Sequence, residues 1–275
     1  MVSTELPALP AEARQRGVVA SYRRGHQRAL AQVAVGCATI LAAAWYVQLL
    51  DVGTIVRGVP AILTLAAESM PPDFSNLSQW LRPLLDTLAM SIAGTASAVV
   101  LSLPLAFLAA PGTSPHPVVY AAARTLLNAL RSVPELIMGI VFVAAVGFGA
   151  LPGVLALGLH SVGMVGKFFA EAVEHVDQAP VEAARAAGAS PLQIVYHAVL
   201  PQVLPRFADV AIYRWEYNFR ASTVMGMVGA GGIGFELMGS LRIMLYREVS
   251  ALLLVILAMV TVVDAISGRL RKRFR

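Results

Sequence analysis

Residues 180–201, PVEAARAAGASPLQIVYHAVLP, form the longest segment that combines charge, glycine and two prolines with an apolar framework. Pro180 is allowed in the first turn of a helix, where its missing N–H is not needed. Glutamate, alanine and arginine are good helix formers, so residues 181–187 predict a short helix. Gly188 can take the left-handed backbone that ends such a helix.

A second short helix is expected after this glycine. Ser190 is a suitable N-cap, and Pro191 is a suitable first helical residue. The helix is predicted over residues 192–200, and Pro201 is expected to bend or interrupt it. Two short helices then meet at an angle at Gly188. From this local pattern alone, an ordinary connection between two helices remains as good an explanation as a specialised loop.

The composition indicates an integral membrane protein. Hydrophobic residues make up 57% of the chain and charged residues 13%, with a mean hydropathy of +0.71. A soluble globular chain is about 25% charged. The length of 275 residues has room for six spans of roughly 20 residues with their loops. A single cysteine, Cys37, excludes an internal disulfide.

The net charge of +5 does not indicate nucleic-acid binding, because the basic residues cluster at the two ends of the chain. Basic flanks stay in the cytoplasm, so both termini are expected inside, with residues 1–28 and 269–275 as cytoplasmic segments. A surface helix from Ala11 is one possibility for the first segment. The basic residues are Arg14, Arg16, Arg23, Arg24 and Arg28 before the first apolar run, and Arg269, Arg271, Lys272, Arg273 and Arg275 after the last.

Six apolar runs define the predicted all-α fold. The first run is longer than the 7–15 apolar residues of a signal peptide, which favours an uncleaved span. The predicted spans are Ala29–Leu50, Leu84–Ala110, Pro117–Ala150, Leu151–Glu174, Pro201–Val228 and Val249–Gly268. Residues 51–83 are expected outside, and the spans place residues 175–200 in the cytoplasm.

The third run is long for a single span, and Pro134 lies in its middle. Tyr120, Arg124, Asn128, Arg131 and Glu135 follow one another at steps of 4, 4, 3 and 4, which places them on one helical face. One kinked helix is the first interpretation. A surface helix followed by a separate short span is the alternative.

Ionisable residues inside spans are costly, so they are candidates for function or for pairing. Counting depth from Pro117 and Pro201 predicts that Arg131 faces Glu216 and that Glu135 faces Arg220. Purely structural ion pairs are the competing explanation. The candidates for the translocation pathway or for intramembrane charge pairs are Arg131, Glu135, Glu216, Asn218, Arg220 and Ser222.

A glycine-rich stretch, GMVGAGGIG at residues 226–234, is predicted to break the fifth span or to form a re-entrant turn. The pattern G-x-G-x-x-G occurs here, but no strand precedes it, which excludes a dinucleotide site. The glycines concerned are Gly226, Gly229, Gly231, Gly232 and Gly234. The chain has no phosphate-binding loop of the ATPase type, and its histidines lack metal-ligand spacing. No cofactor or metal is therefore expected in this chain.

Residues 180–201 resemble the EAA loop of ATP-binding-cassette (ABC) importer permeases. The matching positions are Glu182, Ala183, Ala184, Gly188, Leu200 and Pro201, with Pro191 between them. That family usually has a bulky aliphatic residue where this chain has Ala198. The resemblance implies a cytoplasmic loop that inserts into a cleft of the ATP-hydrolysing subunit.

Two further segments, RSVPELIMGIVFVAAVGFG at 131–149 and RWEYNFRASTVMGMVGAGGIG at 214–234, resemble permeases of phosphonate and phosphite importers in particular. The resemblance covers roughly residues 84–268 and implies a five-helix type I importer core, with residues 29–50 as an extra span. It also implies a bacterial inner-membrane location, a second permease subunit, two ATP-binding subunits that hold ATP and Mg, and an extracytoplasmic binding protein. The expected substrate is phosphonate, phosphite or hypophosphite. A permease for another small substrate such as methionine, or a membrane-embedded enzyme or assembly factor, is the alternative.

Overall fold

The computed structural model describes residues 11–49 and 51–274. Within these residues every regular element is helical and no strand occurs. Two five-residue π-helical turns, π1 (Val195–Val199) and π2 (Gly226–Ala230), flank the 26-residue helix Leu200–Met225. The α-helices are α1 (Ala11–Tyr46), α2 (Val52–Glu68), α3 (Leu77–Leu108), α4 (Pro117–Ser132), α5 (Glu135–Val146), α6 (Ala150–Glu174), α7 (Gln178–Ala186), α8 (Pro191–Ile194), α9 (Leu200–Met225), α10 (Ile233–Arg242) and α11 (Tyr246–Arg271).

The first compact unit ends at Ala66 and contains α1 with most of α2. Helix α1 begins at Ala11, as the sequence allowed, and its apolar part, Gly25–Tyr46, is long enough to cross a membrane. The predicted first span reached Leu50, which lies outside the described residues together with residues 1–10. Helix α2 was not predicted, because Pro60 and the scattered polar residues concealed its helical pattern.

The second unit, residues 67–275, is built around α6. This helix is the most buried of the four single helices that are long and apolar enough to span a membrane. Small residues on α6 allow neighbouring backbones to approach closely. A Cβ atom on Gly163 would lie 2.8 Å from the backbone nitrogen of Arg131 in α4, and one on Gly166 would lie 2.5 Å from Leu127 Cδ2. Helix α4 therefore crosses α6 where these glycines remove all side-chain bulk.

The count of spans is consistent with the predicted six. Four helices qualify as spans alone, namely α3, α6, α11 and the apolar part of α1. Two bent pairs bring the number to as many as six: α4 with α5, bent by 85°, and Pro191–Ala230 with α10, bent by 57°. The six segments correspond in order to the six apolar runs of the sequence.

The third predicted span is not one gently kinked helix. At 85° the bend between α4 and α5 is close to a right angle, so α4 and α5 have different directions. Helix α5 has 12 residues, and at about 1.5 Å per residue such a helix covers less than the roughly 30 Å of a bilayer core. The alternative of two separate helices describes this region better, and depth cannot be counted along a single axis from Pro117.

Other boundaries moved by a few residues. Helix α3 begins at Leu77, seven residues before the predicted Leu84, and it includes Pro83. Helix α11 extends from Tyr246 to Arg271, beyond both ends of the predicted sixth span. Helix α10 was not predicted, because no helix was assigned between the glycine-rich stretch and Val249.

Candidate functional site

In the candidate coupling segment, residues 175–200, one short helix ends at Gly188 and a second helix begins after it, as predicted. The carboxylate of Asp177 caps α7 by accepting a hydrogen bond from the Ala179 N–H at 3.0 Å. Gly188 has φ of +80°, its N–H donates to Arg185 O, and the Ala189 N–H donates to Ala184 O. These two bonds are the Schellman arrangement, which satisfies the last carbonyls of a helix.

The start of α8 also follows the sequence prediction. The Gln193 N–H donates to Ser190 Oγ at 3.4 Å, and the Ser190 N–H donates to Gln193 Oε1 at 2.8 Å. This is a capping box, with Pro191 as the first helical residue. Ser190 and Pro191 together therefore fix where the second helix begins.

Helix α7 has one face packed on the protein and one face open to solvent. Val181 is buried against a hydrophobic cluster that includes Ala198 and Val199, while Glu182 and Ala183 are exposed. The small side chain of Ala198, where related loops carry a bulkier residue, lies inside this cluster. The opposite face of α7, with Glu182 and Ala183, lies at the surface of this chain.

Pro201 does not interrupt the second helix, which corrects the sequence expectation. The chain widens into π1 and continues directly into α9, with Leu200 N–H donating to Val195 O. Pro201 occupies the first turn of α9, directly after the widened turn π1, so the missing N–H of the proline falls where the hydrogen-bond pattern already changes. The segment is thus continuous with the long helix that follows it.

Gln202 connects the two ends of the coupling segment, and sequence reasoning missed it. Its Oε1 accepts from the Asp177 N–H at 2.9 Å, and its Nε2 donates to Asp177 O at 3.3 Å and to Ala198 O at 2.7 Å. One amide side chain on α9 therefore holds the turn between α6 and α7. A glutamine directly after the Leu-Pro pair was the only available signal.

Asn218 and Ser222, predicted as pathway or pairing residues, lie fully buried in the packing of α3, α6 and α9. The Asn218 amide donates to Thr95 Oγ1 at 2.9 Å and accepts from Ser161 Oγ at 3.1 Å. Ser222 Oγ is within hydrogen-bond distance of Thr87 O on α3. The hydrogen bonds of both residues join helices inside this chain. They also satisfy buried polar groups, which would be costly without a partner.

Ser161 extends this network to Arg214, which is only 5% exposed. Arg214 Nε donates to Ser161 Oγ at 2.8 Å, and the guanidinium stacks over the Tyr217 ring at 4.3 Å. Glu135, at the start of α5, completes the site: Tyr217 Oη donates to its Oε1 at 3.1 Å. Arg214 Nη2 and His160 Nε2 lie 3.8 and 3.7 Å from its Oε2.

The predicted charge ladder is wrong. Glu135 meets Arg214, not Arg220, and Glu216 meets Arg220 on its own helix at 2.9 Å. Arg220 also pairs with Asp264 of α11 at 2.8 Å, and Arg271 pairs with Glu216 at 3.3 Å. The i, i+4 spacing within α9 accounts for the Glu216–Arg220 pair.

Arg131 lies exposed on α4, and no described residue forms an ion pair or hydrogen bond with its side chain. The elbow between α4 and α5 separates it from the face that carries Glu135. Arg124, another member of the predicted α4 face, instead donates to Ala109 O and pairs with Glu174.

The glycine-rich stretch breaks the helix, as predicted. Gly229, Gly231 and Gly232 have φ of +101°, +75° and +72°, which side-chain-bearing residues rarely adopt. A Cβ atom on Gly226 would overlap Gly231 O, and one on Gly234 would overlap Thr223 O, so neither position has room for a side chain. The Gly149 N–H donates to Gly229 O at 3.2 Å, so the turn before α6 packs on this break.

A family model described as "Binding-protein-dependent transport system inner membrane component" matches residues 102–275. The chain belongs to this family. The permease is 72% identical to the phosphite transport system permease protein PtxC of Stutzerimonas stutzeri over 271 residues, which are 98% of each chain. It is 41% identical to the putative phosphite transport system permease protein HtxC of the same organism, over 85% of this chain and 83% of that relative.

The fold of the permease is also found in a solved ABC transporter. The inward-facing methionine transporter MetNI matches with a TM-score of 0.64 at 22% identity, over 73% of this chain and 99% of that chain. At this identity the match concerns the fold alone. Together with the family match, it establishes the permease subunit of a type I ABC importer, as the EAA-like loop implied.

Proposed function

We propose that this permease imports phosphite or a related phosphorus oxyanion, phosphonate or hypophosphite, across the bacterial inner membrane. The observation that carries the proposal is the 72% identity to a phosphite permease along 98% of both chains. A permease for a different class of substrate would be expected to contain a segment that does not match this relative. The matched region instead covers almost the whole of both chains. The alternative of methionine rests on a likeness of fold at 22% identity and on 29% identity to a probable D-methionine permease of Vibrio cholerae over only 41% of this chain.

The energy for import comes from partner subunits that bind ATP and Mg. The exposed face of α7, with Glu182 and Ala183, supports docking of such a subunit, since it lies beside Gly188 and the two capped helix ends. A second permease subunit, identical or closely related, and an extracytoplasmic binding protein complete the proposed assembly. The basic ends of the chain support an orientation with both termini in the cytoplasm.

Uptake measurements test the substrate. The permease is expressed with its ATPase subunits and binding protein in a bacterial strain that oxidises phosphite to phosphate but lacks phosphite import, and growth on phosphite as sole phosphorus source is followed. We expect growth on phosphite that disappears when the permease gene is omitted. Competition with methylphosphonate, hypophosphite and methionine then ranks the substrates. Loss of uptake with excess methionine, but not with excess phosphite, would contradict the proposal.

A further inference from the structure

The sharp bend between α4 and α5 is made by Val133 and Pro134. Val133 has φ −87° and ψ 122°, and Pro134 has φ −57° and ψ 136°, so both are extended. Proline disfavours a helical conformation in the residue before it and has no N–H to donate. This elbow therefore leaves the Val133 carbonyl without a helical partner. His160 Nδ1 of α6 lies 3.1 Å from that carbonyl and supplies the partner as its N–H donor.

Glu135, the first residue of α5, is held by α9, since Tyr217 Oη donates to its carboxylate and Arg214 lies beside it. His160 of α6 holds the neighbouring Val133 carbonyl, and its Nε2 lies 3.7 Å from the Glu135 carboxylate. A carboxylate is also favoured at this position, because the N-terminus of a helix carries a partial positive charge. The elbow is thus attached to α6 and α9 through one carboxylate and one carbonyl.

Helices α6 and α9 are the two helices that the coupling segment joins. His160 lies 14 residues before Glu174, where α6 ends, and Arg214 lies 14 residues after Leu200, where α9 begins. At 1.5 Å per residue, each side chain is roughly 21 Å along its helix from the coupling segment. A movement of α7 that displaces α6 and α9 relative to one another is therefore delivered to the groups that hold Glu135.

Arg214 is held in place by its neighbours, but its contact with Glu135 is long. Arg214 is fixed by Ser161 and by stacking on Tyr217, and Ser161 is bonded to Asn218. Glu135 Oε2 and Arg214 Nη2 are both buried and neither has a hydrogen-bond partner, although they lie only 3.8 Å apart. A buried pair of opposite charges that does not close to hydrogen-bond distance is costly, and a small relative displacement of α5 would close it.

We propose that Glu135 is a positioning residue that couples the movement of α6 and α9 to the α4–α5 elbow during the transport cycle. In this proposal the long contact at Arg214 closes in one state of the importer and opens in another, which changes the direction of α5. Packed interfaces tend to have such discrete arrangements. The inference rests on the proposed import function, because it assigns a step of that cycle to this cluster.

The test compares Glu135→Gln with a matched control, Glu236→Gln, which changes a carboxylate in the first turn of α10 in the same way. The complete complex with ATPase subunits and binding protein is reconstituted in liposomes. Complex yield, ATP hydrolysis and phosphite uptake are measured together. We expect Glu135→Gln to lower uptake at least tenfold while hydrolysis falls less than twofold, so that ATP used per phosphite imported rises at least fivefold. The control should leave that ratio unchanged.

A merely structural role gives a different result. If Glu135→Gln lowers yield, hydrolysis and uptake in proportion, with an unchanged ratio, the proposal is overturned. Glu135→Asp keeps the charge and serves as the second variant where the glutamine variant assembles poorly. It should give a ratio between those of the parent and Glu135→Gln, and a parent-like ratio in both assembled variants also overturns the proposal.

A second readout does not depend on which substrate is imported. Spin labels are placed at the exposed positions Val141 in α5 and Leu204 in α9 in a Cys37→Ser background, and their distance is measured with and without a non-hydrolysable ATP analogue. We expect a nucleotide-dependent change in the parent that is absent with Glu135→Gln. No change in the parent overturns the inference, whereas a change without phosphite uptake in the parent contradicts only the proposed substrate.

Discussion

The strongest prediction on the coupling segment concerns Gly188, because its substitution separates backbone strain from steric overlap. A Cβ atom at this position would meet no heavy atom within 4 Å, yet φ is +80°. An alanine in the left-handed region costs about 1–2 kcal/mol. Since 1.4 kcal/mol corresponds to a factor of ten, Gly188→Ala should reduce the population of the capped loop roughly 5- to 30-fold.

Side-chain type should then order the variants. Asparagine tolerates the left-handed region better than alanine, and a β-branched valine tolerates it least. We therefore expect co-purification of the ATPase subunit, and phosphite uptake, to decrease from Gly188 through Gly188→Asn and Gly188→Ala to Gly188→Val. Each variant should still insert into the membrane, because the spans are unchanged.

Gly36→Ala is the control. Gly36 is helical, exposed and equally free of neighbours within 4 Å, but it lies in α1 with an ordinary backbone conformation. Alanine there should raise helix stability by up to about 1 kcal/mol and leave uptake unchanged. If Gly188→Val binds the ATPase subunit and transports as well as the parent, backbone strain at this position does not limit coupling, and the reasoning is wrong.

Three further predictions address topology and packing. Single cysteines at Asp73 and Ala189, in a Cys37→Ser background, should react with membrane-impermeant reagents from opposite sides, and labelling from one side would contradict the six-span arrangement. Gln202→Leu removes three hydrogen bonds to Asp177 and Ala198, each worth about 1 kcal/mol, so less ATPase subunit should co-purify with this variant. Gln193→Leu affects only the α8 capping box, and it should reduce co-purification less. Gly163→Ala places a Cβ against the α4 backbone and should lower the free energy of unfolding of the purified permease by about 1–3 kcal/mol. An unchanged melting temperature would contradict this expectation.

The elements specified by local chemistry were predictable from the sequence. Gly188 ends α7 and Ser190 with Pro191 starts α8, because each residue restricts its own backbone or satisfies a nearby helix end. Pro134 indicated where the third span bends, but one kinked helix was the first interpretation and two separate helices only the alternative. The apolar runs likewise placed α3, α6 and α11 within a few residues of their observed bounds. These signals depend on neighbours along the chain, so one sequence is enough to read them.

The charge partners depended on tertiary structure. Glu216 pairs with Arg220 four residues along its own helix, and Glu135 meets Arg214 and Tyr217 of α9, whereas the sequence had paired Glu216 with Arg131 and Glu135 with Arg220. Depth counted from helix starts could not find them, because the elbow turns α5 away from the axis of α4 by 85°. The burial of Arg214 and the close crossing at Gly163 depend in the same way on how helices cross and rotate against one another. Helical periodicity fixes which side chains share a face, and only the packed structure decides what that face meets.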